Sequence, residues 1–301
     1  MTPFESVFHE ISALLALATV FGALALQLRQ PLIVAFVVVG IAAGPAGLQW
    51  VASTNEVDLL ARLGIALLLF VVGLRLDLHI IRSVGPVALA TGLGQVGFTA
   101  GIGYVITMAL GFDAVSALYI AVALTFSSTI IIVKLLSDKR ELDTLHGRIA
   151  VGFLIVQDIV VVLVMIGLTA LGSTGTATTP ALEVVLVLAK GAAMLMTITA
   201  LMRWVLPTLL GRLAHSGELL LLFAIAWAVL WASVGDVFGF SKEVGAFLAG
   251  ISIASTPYRE LVAARMSGLR DFLLLFFFID LGAGLDLDAL GGNVGAAAVL
   301  S

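Results

Sequence analysis

Long apolar runs, broken by short stretches of Gly, Pro and charged residues, fill most of the chain. Each run has about the 20 residues that a helix needs to cross the hydrocarbon core of a bilayer. The pattern predicts ten membrane-spanning helices and the start of an eleventh near Asn293, and therefore an all-α membrane protein. The ten predicted spans are 8–28, 31–49, 58–76, 85–110, 115–136, 148–171, 182–206, 217–234, 242–256 and 269–285.

The composition agrees with this pattern. The 301 residues are 61% apolar and 11% charged, with a mean hydropathy of +1.19, whereas soluble domains carry about 25% charged residues. The sequence has no basic patch with interleaved aromatic residues, which is the pattern that would indicate a nucleic-acid partner. The absence of cysteine excludes disulfides, iron–sulfur clusters and thiolate zinc sites. We expect a lipid bilayer around the protein and neither a cofactor nor a nucleic-acid partner.

The basic residues predict how the helices are oriented. Of the 15 Lys and Arg residues, 12 follow odd-numbered helices; only Arg62, Lys190 and Lys242 do not. Cytoplasmic connections carry an excess of Lys and Arg. We therefore expect a multi-pass membrane protein with its N-terminus outside.

A weak internal repeat links the two ends of the chain. Gly73–Asp77 resembles Gly282–Asp286 at an offset of 209, and aligning Gly40 with Gly250 gives an offset of 210. Seven predicted helices separate the copies, an odd number, so the second copy would be inverted. Inverted repeats build many secondary transporters, which bind substrate near the midplane where broken helices meet. At the same offset, the counterpart of Ser128 would fall beyond the last residue given, which predicts a longer transporter.

The strongest candidate for chemistry is Asp158, midway along an apolar helix with Gln157 beside it. A lone Asp at this depth costs roughly 2.5–3.5 kcal/mol on insertion scales, and such residues commonly line ion or proton pathways. A carboxylate in apolar surroundings keeps its proton more readily, and a bound cation reverses this preference, so one group can hold either. Gln157 adds a carbonyl oxygen without a second charge. The alternative is a structural carboxylate that locks helix packing.

A cluster of hydroxyls, Thr125-Phe-Ser-Ser-Thr129, lies near the middle of the preceding apolar run. Hydroxyls and freed main-chain carbonyls at membrane depth can serve a transporter as oxygen ligands for a cation. The alternative is that each hydroxyl bonds back to a carbonyl one turn earlier. We predict no catalytic residue, no metal beyond the transported cation, and a cation- and proton-binding site formed by Asp158, Gln157, Thr125, Ser127, Ser128 and Thr129.

Two further features have competing interpretations. Asp280 is a second carboxylate in an apolar run, and is either an accessory residue of the pathway or a structural partner of a neighbouring helix. The segment Gly92–Gly97 matches a dinucleotide-binding fingerprint, but no strand precedes it, so it indicates packing. Gly97 and Gly101 are predicted to let their helix approach a neighbour closely, with Gln95 bonding across that contact.

Several segments together resemble the monovalent cation:proton antiporter-2 family, particularly its Kef-type potassium/proton branch. The similar blocks are 127–136, 145–152, 155–159, 243–250 and 275–282. The resemblance implies an inverted-repeat, sodium/proton-antiporter-like helical bundle with a broken helix at the ion site. It also implies a core domain with two crossed broken helices, a separate dimerisation domain, a homodimer and elevator-like movement. The whole of 1–301 would be one transmembrane antiporter domain.

The resemblance also assigns roles by position. Asp158 would be the cation and proton carboxylate, Gln157 would replace the Asn or Asp of sodium-exchanging relatives, and Thr125–Thr129 would form the first broken helix. The second broken helix, the lysine that many relatives place before it, and any C-terminal regulatory domain would all fall after Ser301. Asp280 stands where many relatives have a small residue.

We therefore expect a secondary active antiporter, rather than an enzyme, that exchanges a monovalent cation for protons. K⁺ is favoured over Na⁺, because a site with one carboxylate has a weaker field and K⁺ gives up its hydration shell more easily. Alternatives are a sodium/proton antiporter and a proton-independent cation channel. An intramembrane aspartyl protease is remote, since its Gly-x-Gly-Asp motif is absent: Gly235-Asp236 follows Ser233-Val234.

Overall fold

The computed structural model describes residues 6–45, 47–50, 54–75, 78–172 and 180–285. In these ranges every regular element is an α-helix. The predicted start of an eleventh helix near Asn293 lies outside them. The helices are α1 (Val7–Gln27), α2 (Leu32–Ala43), α3 (Thr54–Arg75), α4 (Leu78–Ala109), α5 (Ala114–Thr125), α6 (Thr129–Asp138), α7 (Leu145–Gly172), α8 (Pro180–Trp204), α9 (Leu206–Leu213), α10 (Gly217–Val237), α11 (Lys242–Ala254) and α12 (Arg259–Ala283).

Short polar side chains fix where several helices begin. Each accepts a hydrogen bond from a main-chain N–H of the first turn, which would otherwise have no partner in the helix. These N-caps are Ser6 of α1, Asp113 of α5, Ser128 of α6, Ser216 of α10 and Ser241 of α11. Single capping residues therefore set where these helices begin, in apolar segments that have few other signals for a helix boundary.

The helices follow the predicted spans with five main differences. α2 ends at Ala43 rather than at residue 49, and the predicted span 115–136 is divided into α5 and α6. α4 begins at Leu78, well before the predicted residue 85, and carries Pro86 inside it. The predicted span 182–206 is followed by a separate short helix, α9, after a bend of 53°. α12 begins at Arg259 rather than at residue 269. Its first turns are rich in Arg, Glu, Leu and Ala, which favour helix formation but lower the hydropathy that the span prediction relied on.

Length and composition identify five described helical segments that could cross a membrane, or six if the bent pair α8–α9 is one span. α5 and α6 count together as one such segment, Ala114–Asp138. α2 is apolar but has 12 residues, fewer than a crossing requires. The prediction of ten crossings therefore stays a prediction, while the membrane-spanning character of the chain is clear.

The chain divides into two compact units. One comprises residues 1–65 and 267–299, and the other comprises residues 66–266. In the first unit α1 packs against α2, and a continuous apolar core forms from Leu14, Ala18, Val39, Ala43, Val57 and Ile279. In the second unit α4 packs against α5 and α7, and α11 packs against α8 and α10.

In the first unit, α2 and α12 cross where two glycines touch. A Cβ built on Gly40 would lie 2.9 Å from the Cα of Gly282 and 2.9 Å from the main-chain nitrogen of Ala283, and would overlap the carbonyl oxygen of Ile279. No side chain fits at this point, so the two main chains are in direct contact. Small residues allow such close approach between helices in membranes.

In the second unit, α3 and α11 cross in the same way. A Cβ on Gly250 would lie 2.9 Å from the Cα of Gly73 and 2.9 Å from the nitrogen of Leu74, and would overlap the carbonyl oxygen of Phe70. The repeat offsets of 209 and 210 relate each residue of the α2–α12 contact to the corresponding residue of this α3–α11 contact, and the same atoms meet in both. The correspondence supports the internal repeat that the sequence predicted.

Candidate ion-binding site

The helix that carries the hydroxyl cluster is interrupted at the predicted position. α5 ends at Thr125 and α6 begins at Thr129, and the residues between them are not helical. Phe126 and Ser128 have extended main-chain angles. A helix end leaves carbonyl groups without an intrahelical partner, so this break introduces polar main-chain atoms into an apolar segment.

Two side-chain amides, one buried and one partly buried, satisfy the carbonyl oxygen freed at Thr125. Nε2 of Gln95 on α4 donates to it at 3.2 Å, and Nε2 of Gln157 on α7 donates to it at 3.1 Å. Nε2 of Gln157 also donates to Oε1 of Gln95. A carbonyl can only accept hydrogen bonds, so both side chains must present their N–H₂ groups to Thr125.

This arrangement fixes the direction of the other end of Gln157. The side chain is 2% exposed, and its Oε1 atom has no hydrogen-bond partner among the residues that the structure describes. A buried acceptor without a partner costs about 1–3 kcal/mol. Such an oxygen is suited to accept a cation or a donated hydrogen, which is the chemistry predicted for this residue.

Asp158 follows Gln157 on α7 and is partly buried. The hydroxyl of Thr129, the first residue of α6, hydrogen-bonds to its carboxylate. The negative charge of Glu243, in the first turn of α11, acts on the same group. Glu243 is itself half-buried. The sequence analysis did not place it near Asp158, because no local signal connects residues 85 positions apart.

The predicted hydroxyls have different surroundings. Oγ1 of Thr125 donates to the carbonyl of Ala121 at 2.9 Å, one turn earlier, which is the structural alternative considered from the sequence. Ser127 and Ser128 are exposed, and Ser128 also caps α6 by accepting from the nitrogen of Ile131 at 3.4 Å. The structure thus brings Gln157, the main chain of Thr125, Asp158 and Thr129 to one helix break.

The glycine-rich segment of α4 packs differently from the prediction. No atom of the described chain lies within 4 Å of a Cβ built on Gly97 or Gly101, so the predicted close approach at these two residues is wrong. The contact is made instead at Gly92, where a Cβ would lie 2.9 Å from Val156 on α7. The predicted hydrogen bond by Gln95 to a neighbouring helix is confirmed.

Asp280 belongs to the first unit, whereas the residues around Asp158 belong to the second. It is partly buried on α12, and the charges of Asp58 and Arg62 on α3 act on it. Those two side chains form an ion pair of 2.6 Å. These neighbours match the structural alternative for Asp280 more closely than a role in the pathway.

Comparison with known proteins identifies the class. The family model described as "sodium/hydrogen exchanger, transmembrane" matches residues 13–301. The chain therefore belongs to this family of membrane transporters, and the resemblance to cation:proton antiporters is confirmed.

Particular relatives agree with this class. The iron transporter MagA of Paramagnetospirillum magneticum is 30% identical over 96% of this chain and 66% of its own length. K(+) efflux antiporter 5 of Arabidopsis thaliana is 28% identical over 96% of this chain and 51% of its own. The chain thus spans between half and two thirds of the length of these relatives. The sodium proton antiporter MjNhaP1 of Methanocaldococcus jannaschii has a similar fold, with a TM-score of 0.59 and 16% identity over 98% of this chain and 74% of that one.

Proposed function

We propose that this protein is a secondary active antiporter that exchanges a monovalent cation for protons. One observation carries the proposal: at a helix break, the carbonyl oxygen of Gln157 is buried and has no hydrogen-bond partner among the described residues, and the next residue of α7 is the carboxylate Asp158. Membership of the exchanger family supports the same reaction.

The coupling follows from the charge of Asp158. With a proton the carboxyl is neutral, and with a monovalent cation the ion pair is also neutral overall. The bare carboxylate is the costly state in apolar surroundings. Proton and cation therefore compete for one group, and only the two loaded forms cross the apolar region readily. Thr129 supplies a donor that steadies the ionised carboxylate when the cation is bound.

We infer that K⁺ is preferred over Na⁺. Gln157 contributes an oxygen without charge, so the site strips water less forcefully than two adjacent carboxylates would. The negative charge of Glu243 acts on Asp158. Because Glu243 is partly exposed, solvent and salt screen this interaction. A relative named as a potassium efflux antiporter supports this choice. Na⁺ exchange is the alternative, and the neighbour named as a sodium proton antiporter shares the fold alone.

The test is cation-dependent proton movement in proteoliposomes. The protein is reconstituted with a pH-sensitive dye inside, and K⁺ or Na⁺ gradients are imposed in separate runs. Antiport predicts a change of internal pH that follows the cation gradient and saturates with cation concentration. Cation flux without proton movement would instead indicate a channel. A protein that moves neither cations nor protons would refute the proposal.

Orientation and assembly are part of the same proposal. We expect the N-terminus outside, a homodimer in the bacterial inner membrane, and regulation by a further C-terminal domain of the kind that the resemblance implies. Residues 1–301 contain no cysteine, so a single engineered cysteine is the one thiol in this part of the protein. Lys139→Cys is expected to resist an impermeant external reagent, while Thr174→Cys, which lies outside the described residues, is expected to label. The reverse pattern would invert the topology.

A further inference from the structure

Gln95, which is not one of the predicted site residues, is held in one orientation by two acceptors of its amide N–H₂ group. Its Nε2 donates to the carbonyl of Thr125 at 3.2 Å and to Oγ1 of Thr99, one turn along α4, at 3.2 Å. Its Oε1 is therefore turned to the remaining side, where it accepts from Nε2 of Gln157. The side chain joins three elements: α4, the break after α5, and α7.

We infer that Gln95 is a positioning residue that keeps the carbonyl oxygen of Gln157 directed to the cation. The inference rests on the proposed function. Gln95 is not itself a candidate cation ligand, because both the nitrogen and the oxygen of its side-chain amide are already hydrogen-bonded. It acts through Gln157, whose amide has two possible orientations that differ by exchange of oxygen and nitrogen.

The two orientations of Gln157 have opposite consequences for a cation. In the observed one, N–H₂ faces two acceptors and Oε1 is free. In the flipped one, Oε1 would face the oxygens of Thr125 and Gln95, and the positive N–H₂ end would face the cation. Removing Gln95 takes away one of the two acceptors that oppose the flip, while the carbonyl of Thr125 still opposes it.

The expected effect is therefore graded rather than total. Gln95→Leu is expected to raise the KM for the cation about fivefold, the change that loss of one ordinary hydrogen bond produces. The maximal exchange rate is expected to stay near that of the wild type, because Asp158 still carries both the proton and the cation. The ratio of K⁺- to Na⁺-driven proton flux is expected to move closer to one.

A double-mutant cycle separates positioning from simple packing, since it isolates the interaction between two side chains. The cycle uses Gln95→Leu, Gln157→Leu and the double variant, all as the full chain in proteoliposomes. Positioning predicts that Gln95→Leu raises KM in the wild-type background and has no further effect when Gln157 is already Leu. The matched control is Thr107→Val on the same helix, which removes a buried bond to the carbonyl of Gly103 at 2.6 Å. Its KM is expected to be unchanged.

Three outcomes would overturn the inference. One is an equal rise in KM in both backgrounds, which would show that Gln95 acts independently of Gln157. Another is an unchanged KM in Gln95→Leu. The third is that neither Gln95→Leu nor Gln95→Met folds, which would assign a purely structural role. Absence of cation-dependent proton movement in the wild type would instead refute the proposed function itself, so the two failures are distinguishable.

Discussion

The second unit contains two interrupted helices, and they differ in what the interruption exposes. Between α5 and α6 three residues leave the helix, and the carbonyl of Thr125 accepts hydrogen bonds from the side-chain amides of Gln95 and Gln157. Between α8 and α9 only Val205 leaves it, with a bend of 53°. There the main chain stays bonded, because Val205 donates to Leu201 and accepts from Leu209, both at 3.0 Å.

The difference shows that a bend alone does not make a binding site. At α8–α9 the flanking residues are apolar, and Trp204 is 76% exposed. Val205 is hydrogen-bonded along its own chain in both directions. At α5–α6 the freed carbonyl accepts from Gln157, whose own oxygen has no hydrogen-bond partner among the described residues. The predictions below test whether exchange depends on the first interruption and is indifferent to the second.

The largest effect is expected from Asp158→Asn, which should abolish exchange while leaving the protein folded. The amide cannot alternate between proton and cation. The measurement is cation-dependent proton flux in proteoliposomes, with thermal unfolding as the test of folding. Asp280→Asn is the matched control, a carboxylate of similar setting in the first unit, and should retain exchange. Retained flux in Asp158→Asn would move the site elsewhere, with Asp280 the next candidate.

A large but partial effect is expected from Gln157→Asp. A second carboxylate next to Asp158 strengthens the field and should favour Na⁺, the more strongly hydrated ion. The shorter side chain also gives up the bonds to Thr125 and Gln95, so the rate should fall. The ratio of K⁺- to Na⁺-driven proton flux measures the shift, with Gln157→Asn controlling for side-chain length. An unchanged ratio would show that Gln157 does not set selectivity.

A moderate effect is expected from Thr129→Val, which removes the hydroxyl that bonds to Asp158. Hydrogen bonds to charged groups contribute about 1.5–3 kcal/mol, and partial solvation of Asp158 reduces this. We expect the KM for the cation to rise roughly tenfold, since each 1.4 kcal/mol is a factor of ten. Thr129→Ser should restore the wild-type KM. A valine variant with normal KM would remove Thr129 from the site.

The smallest effect is expected from Pro207→Ala, at the second interruption. Pro is favourable in the first turn of α9 but donates no hydrogen bond there. Its loss should change stability by about 0.5 kcal/mol and leave the KM unchanged. Thermal unfolding and proton flux on the same sample check both expectations. A clear change of KM would show that this bend also takes part in exchange.

Much of the fold could be predicted from the sequence, because apolar run length reports helices directly. The break at Thr125–Thr129 was predicted through the resemblance to the antiporter family, whereas hydropathy alone predicted one continuous span, 115–136. The bend at Val205 was not predicted because the residues on both sides are equally apolar. Hydropathy does not report a change in the direction of a helix axis. The early start of α12 was missed because a helix beginning with Arg259 and Glu260 has low hydropathy.

The site was only partly predictable for a different reason. Asp158 and Gln157 stand out because polar residues in an apolar run are costly. Gln95 is equally polar, but its partner is a main-chain carbonyl 30 positions later, and every residue has such a carbonyl. Its role depends on which carbonyl the fold leaves free. Glu243 lies at the edge of an apolar run, where a carboxylate is unremarkable by sequence alone.

The two glycine crossings carry a consequence for ancestry. Lipid-facing positions accept almost any apolar residue, so two copies of a duplicated segment can drift apart there without penalty. At the crossings an added methyl group would force two main chains apart, in the first unit at Gly40 and Gly282 and in the second at Gly73 and Gly250. Four residues without side chains are therefore held in place in both copies of the predicted repeat, where bulkier residues around them are free to differ.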